Sequence, residues 1–408
     1  SKYNGYKVYG ADGCQITTEA AKEILNEINE IDPFEVERKP FAGNELISFI
    51  SDDVLTSFIE EVKKQSFLYG EEIDNGISVV YTPLNGTGLK PVTRVLKELG
   101  YTNVVTVKEQ ETPDGNFPTC PYPNPEIREA MELGMHYARM NDADILIASD
   151  PDCDRVGVAV RDGEDYVILN GNQVGVLLLN YICEQRTKNN DMPESPVLIK
   201  TIVTTDLANR IADHYGMETI NVLTGYKFIG EQIGKLEKEG KLDSFVFSFE
   251  ESDGYLSGSY VRDKDGVNGS CLVCEMFAYY KTNSISMIEK LNELYRRFGY
   301  YSETLESYEF PGAAGFTKMK EIMNDLRSSS PKTIQGYEVL KSEDYLNGIN
   351  GLPRSDVLKY YFETGSAVIR PSGTEPKLKL YLSTHGKNAD DSRQKNEDLR
   401  SYFSSLLK

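Results

Sequence analysis

The sequence is poor in histidine, in cysteine and in long apolar runs. Only three histidines occur among 408 residues, and none lies in the polar segments described below, so a histidine-based catalytic triad has little support. Six scattered cysteines are too few for a disulfide framework in a chain of this length, which fits a reducing compartment. The longest apolar runs, such as 174–179, are far shorter than a membrane span. We therefore expect a cytoplasmic protein without a membrane partner.

Positive charge is also in deficit, because 44 basic residues face 64 acidic ones and leave a net charge of −20. Such a surface repels phosphate backbones and anionic membranes, so nucleic acid is not an expected partner. An anion has to bind in a local basic pocket. With 39% hydrophobic and 26% charged residues, the chain has the composition of an ordinary globular protein. At about 150 residues per domain, we expect two to four domains.

Strand-like and helix-like segments alternate from residue 73 onward, which is typical of an α/β layer. Strands are predicted at Ile77–Tyr81, Val104–Val107 and Ile145–Ala148. Helices are predicted at Pro91–Leu99, with proline at the first helical position, and from Asn124 to about Asn141. A second alternating unit follows a hairpin signal at residues 162–163, and the last hundred residues are richer in strands. The predicted fold is therefore α/β, with two α/β sheet domains followed by a C-terminal α+β domain.

The densest acidic segment is Asp150-Pro-Asp152-Cys-Asp154-Arg155, directly after a predicted strand. Carboxylates at alternate positions on a tight loop can converge on one hard cation, and Mg²⁺ favours a few carboxylates plus substrate phosphate. An EF-hand is excluded, because arginine stands at the positions of its glycine and its closing glutamate. The alternative is an acidic turn with solvated carboxylates.

A second polar segment, residues 370–377 with the sequence RPSGTEPK, joins two predicted strands. An arginine can bind phosphate through two nitrogens, hydroxyls can donate, and glycine lets backbone N–H groups approach an anion. The pattern favours a local phosphate site, while a Pro/Gly turn with a basic rim explains it equally well.

Two weaker signals also follow predicted strands. The segment 248–255 contains Glu250 and Ser252, which can hydrogen-bond sugar hydroxyls, and the segment 224–227 begins with Thr224 and Gly225, which otherwise read as a helix-entry turn. The Cys271/Cys274 pair lies in an apolar helical context and is interpreted as core. The glycine-rich segment 84–88 lacks the ending of a Walker motif, which disfavours ATP hydrolysis.

Taken in order, these segments resemble the α-D-phosphohexomutase superfamily, the phosphoglucomutases and phosphomannomutases. The resemblance runs along essentially the whole chain, and its matching segments are 3–7 (YNGYK), 81–88 (YTPLNGTG), 113–118 (PDGNFP), 150–155 (DPDCDR), 224–230 (TGYKFIG), 250–252 (EES) and 370–377 (RPSGTEPK). The FEESDGY and TGYKFIG forms are most similar to the phosphoglucomutase and phosphopentomutase branch. Gly254, where some branches carry histidine, argues against the phosphomannomutase branch.

The resemblance implies a mutase that interconverts glucose 1-phosphate and glucose 6-phosphate through a phosphoserine and a glucose 1,6-bisphosphate intermediate. It implies Asp150, Asp152 and Asp154 as Mg²⁺ ligands, and Arg155 and Lys7 as catalytic residues that orient the phosphoryl group and move a proton. The implied substrate-binding residues are Thr224, Gly225, Glu250, Ser252, Arg370, Ser372, Gly373 and Thr374. A surface lysine is the alternative interpretation of Lys7. The expected partners are small-molecule sugar phosphates.

The resemblance also implies four segments, which are a remnant of the phosphoserine domain at 1–45, a metal-binding domain at 46–163, a sugar-binding domain at 164–299 and a phosphate-binding C-terminal domain at 300–408. The family's serine loop would directly precede residue 3, and no Ser-His pair occurs in the chain. We therefore expect an N-terminally truncated chain that is inactive alone. The alternatives are a phosphopentomutase, a phosphomannomutase, or a non-catalytic sensor that binds sugar phosphates.

Overall fold

The computed structural model describes residues 7–37, 43–45, 47–328, 331–372 and 376–407. The chain divides into two compact units, the first formed by Ser1–Lys200 and Gly225–Met287 and the second by Thr201–Thr224 and Ile288–Lys408. Both units combine helices with strands, so the α/β class predicted from the sequence is confirmed.

The described residues form helices and strands that are numbered here in chain order. The helices are α1 (Thr18–Asn29), α2 (Asp52–Lys63), α3 (Leu89–Glu98), α4 (Arg128–Met140), α5 (Gly171–Lys188), α6 (Leu207–His214), α7 (Tyr226–Lys238), α8 (Gly266–Thr282), α9 (Met287–Phe298), α10 (Gly312–Ser328) and α11 (Ala389–Leu407). The strands are β1 (Val79–Thr82), β2 (Val104–Thr106), β3 (Ile145–Ser149), β4 (Val156–Asp162), β5 (Asp165–Leu169), β6 (Val197–Thr201), β7 (Glu218–Val222), β8 (Phe245–Glu250), β9 (Gly254–Ser257), β10 (Tyr300–Glu309), β11 (Thr333–Ile334), β12 (Tyr337–Asp344), β13 (Leu358–Phe362), β14 (Gly365–Pro371) and β15 (Lys377–Gly386).

The first unit is built on a five-stranded sheet in the order β2-β1-β3-β4-β5. Strands β1, β2 and β3 run parallel, whereas β4 and β5 continue the sheet antiparallel to their neighbours. Every residue of β1 and β3 is buried, in keeping with their mainly apolar sequences. Because parallel strands end at the same edge of a sheet, the segments that follow β1 and β3 lie next to each other.

A second sheet of the first unit places β8 between β6, which is parallel to it, and β9, which is antiparallel. All six residues of β8 are buried, and the strand ends at Glu250. A capping box between Asn170 and Gln173 stabilises the start of α5, and Asp265 caps α8 with a carboxylate that accepts two backbone N–H groups. These caps fix the starts of the two buried helices that pack beside the sheet.

The second unit contains a six-stranded antiparallel sheet in the order β10-β15-β14-β13-β12-β11. Helices α10 and α11 contribute Met319, Met323, Leu399 and Phe403 to the apolar core that covers this sheet. The sequence interpretation missed β10, because this edge strand carries mainly polar residues and its half-buried and exposed positions alternate only in its second half.

Two helix starts differ from the sequence prediction. Helix α3 begins at Leu89, so Pro91 stands at the third helical position and not at the first. Proline is tolerated throughout the first turn, since those N–H groups have no partner within the helix. Helix α4 begins only at Arg128, because Asn124 instead forms a turn in which its side chain accepts the N–H of Glu126.

The six cysteines are all free and buried, and Cys271 and Cys274 lie in the apolar interior of α8 as predicted. Within the described part of the chain, every helix is too short or too polar to cross a membrane.

The second unit contains a strongly perturbed carboxyl group on β10. The hydroxyl of Thr205, just before α6, donates a hydrogen bond to Oε1 of Glu303. Burial raises the pKa of Glu303 to about 7, and the nearby charge of Asp206 adds to the effect. Between pH 4.5 and 7 the folded chain therefore keeps a proton that the unfolded chain has lost. This difference favours unfolding as the pH rises.

Replacing Glu303 with glutamine removes this charge and keeps an oxygen that can accept from Thr205. We expect Glu303→Gln to raise the free energy of unfolding by about 1–2 kcal/mol at pH 8 and to change it little at pH 4.5. Urea unfolding of both proteins at the two pH values measures the difference. An equal change in the free energy of unfolding at both pH values would contradict a raised pKa for Glu303.

Candidate functional site

The predicted metal loop, residues 150–155, lies at the end of β3, where the buried strand leads into a tight turn. Cys153 adopts a positive φ of 56°, and its N–H donates to the carbonyl oxygen of Asp150 at 2.9 Å. Oδ1 of Asp150 accepts the backbone N–H groups of Asp154 and Arg155, both at 3.0 Å. One carboxylate oxygen of Asp150 thus fixes the loop, and the other remains for a ligand.

The three aspartates of this loop converge as the sequence predicted. One oxygen each from Asp150, Asp152 and Asp154 lies within 4.8 Å of the others. Ligand oxygens about 2.1 Å from an octahedral Mg²⁺ are about 3 to 4.2 Å apart, so the separation and the all-oxygen donor set fit this ion. Asp150 is only 8% exposed, and burial together with the charges of Asp154 and Asp152 raises its pKa. A cation at the loop would relieve that repulsion.

The segment between β1 and α3 packs against the metal loop. The N–H of Thr87 donates to the carbonyl oxygen of Pro151 at 2.9 Å. Gly86 lies so close that a Cβ atom there would be 2.3 Å from Cα of Pro151. The glycines of this segment, which resembled a phosphate loop in the sequence, therefore permit close packing of two loops.

Two lysines neutralise Asp154. Nζ of Lys7 lies 2.6 Å from Oδ2 of Asp154 and 3.7 Å from Asp152, and Nζ of Lys264 lies 3.0 Å from the same Oδ2 atom. Burial would raise the pKa of Asp154, but Lys264 and Lys7 outweigh it and hold the pKa below its usual value. Burial would likewise lower the pKa of Lys7, and Asp154 keeps it above its usual value. Lys7 is therefore charged at neutral pH.

Lys264 was not found from the sequence. It lies between Asp263 and Asp265 directly before α8, so its charge is masked in the sequence by its two acidic neighbours. The local sequence around Lys264 is the polar segment DKDG at a helix start, and this pattern is typical of a helix cap. The proximity to Asp154 is a tertiary contact that no local pattern contains.

Arg155 is held in a carboxylate environment. Its Nη1 donates to Oε1 of Glu126 at 2.6 Å, and its Nε lies 3.7 Å from Asp150 and 3.8 Å from Asp154. Burial would lower the pKa of Arg155, yet Glu126 and the aspartates raise it. Glu126 was also missed by the sequence interpretation, because the turn that precedes α4 was assigned to the helix.

Glu250, at the end of β8, is 4% exposed and faces the same region. Its Oε1 accepts the N–H of Gly225 at 3.1 Å, and its Oε2 lies 4.0 Å from Nζ of Lys264. Burial raises the pKa of Glu250, while Lys264 opposes the shift. Gly225 has a φ of 118°, which only glycine adopts readily, and it precedes α7. Ser252 lies in the turn between β8 and β9.

A cavity of about 1070 Å³ opens beside the metal loop within the first unit. Its wall includes the two lysines, Asp263 and two of the loop aspartates, Asp152 and Asp154, together with aromatic side chains such as that of Tyr260. A monosaccharide phosphate fits such a volume, and the two lysines on its wall are both paired with Asp154.

The second unit holds the other predicted binding residues that the structure describes. Thr224 is partly buried, and its hydroxyl finds no hydrogen-bond partner among the described residues. Arg370 lies on β14 with its guanidinium 5.8 Å from the centre of the Tyr381 ring, and its buried Nε likewise has no partner in the described ranges. Arg370 and Ser372 line a cavity of about 340 Å³. Gly373 and Thr374 lie outside the described residues.

Known protein families and relatives match this chain along most of its length. Family models match residues 56–163, 170–298 and 319–398, and their descriptions are phosphoglucomutase/phosphomannomutase alpha/beta/alpha domain II, alpha/beta/alpha domain III and C-terminal domain. A phosphoglucomutase of Staphylococcus saprophyticus is 37% identical over 411 residues, which cover 97% of this chain and 73% of the relative.

Solved structures share the fold at lower identity. A phosphoglucomutase/phosphomannomutase family protein from Burkholderia thailandensis aligns with a TM-score of 0.62 and 19% identity, over 87% of this chain and 64% of that one. An N-acetylphosphoglucosamine mutase from Aspergillus fumigatus, solved with GlcNAc-6P and magnesium, aligns with a TM-score of 0.50 and 12% identity, over 86% and 65%. The chain thus spans slightly less than two thirds of these solved chains.

The fold and the matches define a multidomain α/β protein of the mutase class. The chain belongs to the phosphoglucomutase/phosphomannomutase family, and the resemblance to the α-D-phosphohexomutase superfamily predicted from its motifs is confirmed. The domain boundaries and the roles of individual site residues stay predictions.

The packing of Gly86 against Pro151 yields a test of how the metal loop is supported. We expect Gly86→Ala to lower the free energy of unfolding by about 1–3 kcal/mol, because the added methyl group would overlap backbone atoms of the metal loop. Chemical unfolding measures this loss. Gly115→Ala is the matched control, since a Cβ atom at residue 115 meets nothing within 4 Å. A loss of stability no larger than that of the control would contradict the packing argument.

Proposed function

We propose that the chain belongs to a phosphoglucomutase that interconverts glucose 1-phosphate and glucose 6-phosphate through a phosphoserine and a glucose 1,6-bisphosphate intermediate. The main support is the convergence of Asp150, Asp152 and Asp154 beside a cavity whose wall carries two lysines. Family membership and the phosphoglucomutase identity of a 37% identical relative also favour it.

In this proposal the three aspartates hold Mg²⁺. The ion would neutralise negative charge that develops on the phosphoryl group during transfer. Arg155, held by Glu126, presents its guanidinium beside the aspartates and orients a phosphoryl group there. Lys7 is protonated in its contact with Asp154, so it can donate a hydrogen bond to a sugar oxygen, and it would give up its proton only once that contact is released.

Sugar hydroxyls would bind Glu250 and Ser252 near the turn that follows β8, with Thr224 and Gly225 lining the sugar site. Glu250 accepts the N–H of Gly225 through Oε1, and its Oε2 lies 4.0 Å from Nζ of Lys264, beyond hydrogen-bond distance, so it can accept from a sugar hydroxyl. Arg370, Ser372, Gly373 and Thr374 would bind the phosphate that does not react. The unpartnered Nε of Arg370 supports this role among the described residues.

The metal assignment is tested by removing the charge of its most exposed ligand. Asp152 has a side chain that is 64% exposed, so Asp152→Asn leaves the core intact. We expect this substitution to weaken Mn²⁺ binding about tenfold or more, as measured by the electron paramagnetic resonance signal of the free ion. Asp142→Asn, at an exposed aspartate paired with Arg161, is the control. Unchanged affinity in Asp152→Asn would refute the assignment.

The phosphoserine mechanism predicts the behaviour of the 408 residues on their own. The sequence contains no Ser-His pair of the kind that the family's serine loop carries. A preparation of these residues alone is therefore expected to convert no glucose 1-phosphate in an assay coupled to oxidation of glucose 6-phosphate. Sustained turnover, with full-length enzyme rigorously absent, would show that another residue carries the phosphoryl group.

A further inference from the structure

Lys264 is held in place by two features of its surroundings. The next residue, Asp265, accepts the N–H groups of Val267 at 2.8 Å and Asn268 at 3.3 Å, which fixes the backbone at the start of α8. The stem of Lys264 lies against β9 at Gly254, where a Cβ atom would be 2.4 Å from its Cδ. The absence of a side chain at residue 254 therefore makes room for the lysine stem.

This placement brings a buried ammonium group into contact with three carboxylates. The Lys264 side chain is 9% exposed, and its Nζ lies 3.0 Å from Asp154, 3.8 Å from Asp263 and 4.0 Å from Glu250. It also lies 5.6 Å from the centre of the Tyr226 ring. A buried ammonium needs such compensation, because isolated charge in a protein interior is strongly unfavourable.

The closest of these contacts uses an oxygen atom of the metal loop. Oδ2 of Asp154 is contacted by both Lys264 and Lys7, at 3.0 and 2.6 Å. Two ammonium groups therefore supply the countercharge that a divalent ion would otherwise supply. An ion bound to Asp154 and a lysine at the same oxygen repel each other across a poorly hydrated site, where charge interactions are strong.

We propose that Lys264 is an internal counter-cation of the metal loop, which leaves Asp154 when a divalent ion binds and then pairs with the phosphate of a bound sugar phosphate. This inference rests on the proposed function, because it takes the three aspartates as the metal ligands. Both lysines line the 1070 Å³ cavity, so the Lys264 ammonium can reach a phosphate there by rotation about its terminal side-chain bonds while the stem stays against Gly254. Ion and sugar phosphate should therefore bind cooperatively.

The proposal makes an unusual prediction for a residue in a binding site, which is that removing it strengthens binding of the ion. We expect Lys264→Met to bind Mn²⁺ about tenfold more tightly than the unmodified chain when no sugar phosphate is present. Lys264→Arg keeps the charge and should restore the weaker affinity. Electron paramagnetic resonance of free Mn²⁺ measures binding directly, and Mg²⁺ competition confirms that both ions use one site.

Glucose 6-phosphate supplies the second arm of the experiment. In the unmodified chain it should tighten Mn²⁺ binding severalfold, because its phosphate stabilises the displaced lysine. In Lys264→Met this enhancement should be smaller, since the competing ammonium is already gone. A residue that only binds phosphate would give the same Mn²⁺ affinity as the unmodified chain in the absence of sugar phosphate, and that result would overturn the proposal.

Two controls separate the counter-cation effect from other causes. Lys281→Met removes the same unit charge from an ion pair with Asp144, 2.6 Å away, in the same unit, and should leave Mn²⁺ affinity unchanged. Gly254→Ala keeps Lys264 but displaces its stem, and should tighten Mn²⁺ binding in the same direction as Lys264→Met. Tighter binding in Lys281→Met to the same extent would overturn the proposal, because it would reflect overall charge.

The outcomes also separate this inference from the proposed function. If Mn²⁺ binding is lost in Asp150→Asn but is no tighter in a folded Lys264→Met, the metal site is supported and the counter-cation proposal is overturned. Absence of binding in both the unmodified chain and Lys264→Met overturns both. Thermal unfolding followed by circular dichroism establishes whether each variant is folded. If Lys264→Met is not folded, the Mn²⁺ affinity of Gly254→Ala tests the proposal in its place.

Discussion

The concentration of negative charge after β3 is the constraint on which the site depends. Three aspartates within five residues can share one turn only if their repulsion is offset, and the fold offsets it with backbone N–H groups on Asp150 and ammonium groups on Asp154. These contacts draw the N-terminal Lys7 and the Lys264 loop toward the metal loop, within the first unit. A chain with a net charge of −20 thus places Lys7 and Lys264 where an anionic ligand would meet them.

The alternation of strands and helices predicted the class of the fold, because it depends on local periodicity that the sequence displays directly. The end of β3 was also predictable, since a buried apolar run followed by a polar turn marks a strand end in an α/β layer. Helix starts were less accurate at Pro91 and Asn124, where proline and asparagine fit either a turn or a first helical turn. Strand β10 escaped notice because pairing with β15, and not its own composition, determines its structure.

The site residues likewise divide into those that the local sequence predicts and those that it does not. The aspartates, Arg155 and Glu250 were predictable because they lie at or just beyond the end of a strand and belong to family motifs. Lys264 and Glu126 were not, since the charge of one is cancelled in the sequence by Asp263 and Asp265, and the other lies in a turn with no motif of its own. Their significance comes from distances of 3.0 Å to Asp154 and 2.6 Å to Arg155 between residues far apart in the chain. Only tertiary structure contains that information.

The contact between Gly254 and the stem of Lys264 has a consequence for the history of this family. A side chain at position 254 and a lysine stem packed as it is here exclude each other, because the two would occupy the same volume. A lineage can change one of these positions only if the other changes with it or the backbone shifts. The residue at position 254 should therefore covary with the residue at position 264 across the family. Such linked substitutions would mark the point at which one branch adopted a second cation beside its metal loop and another did without it.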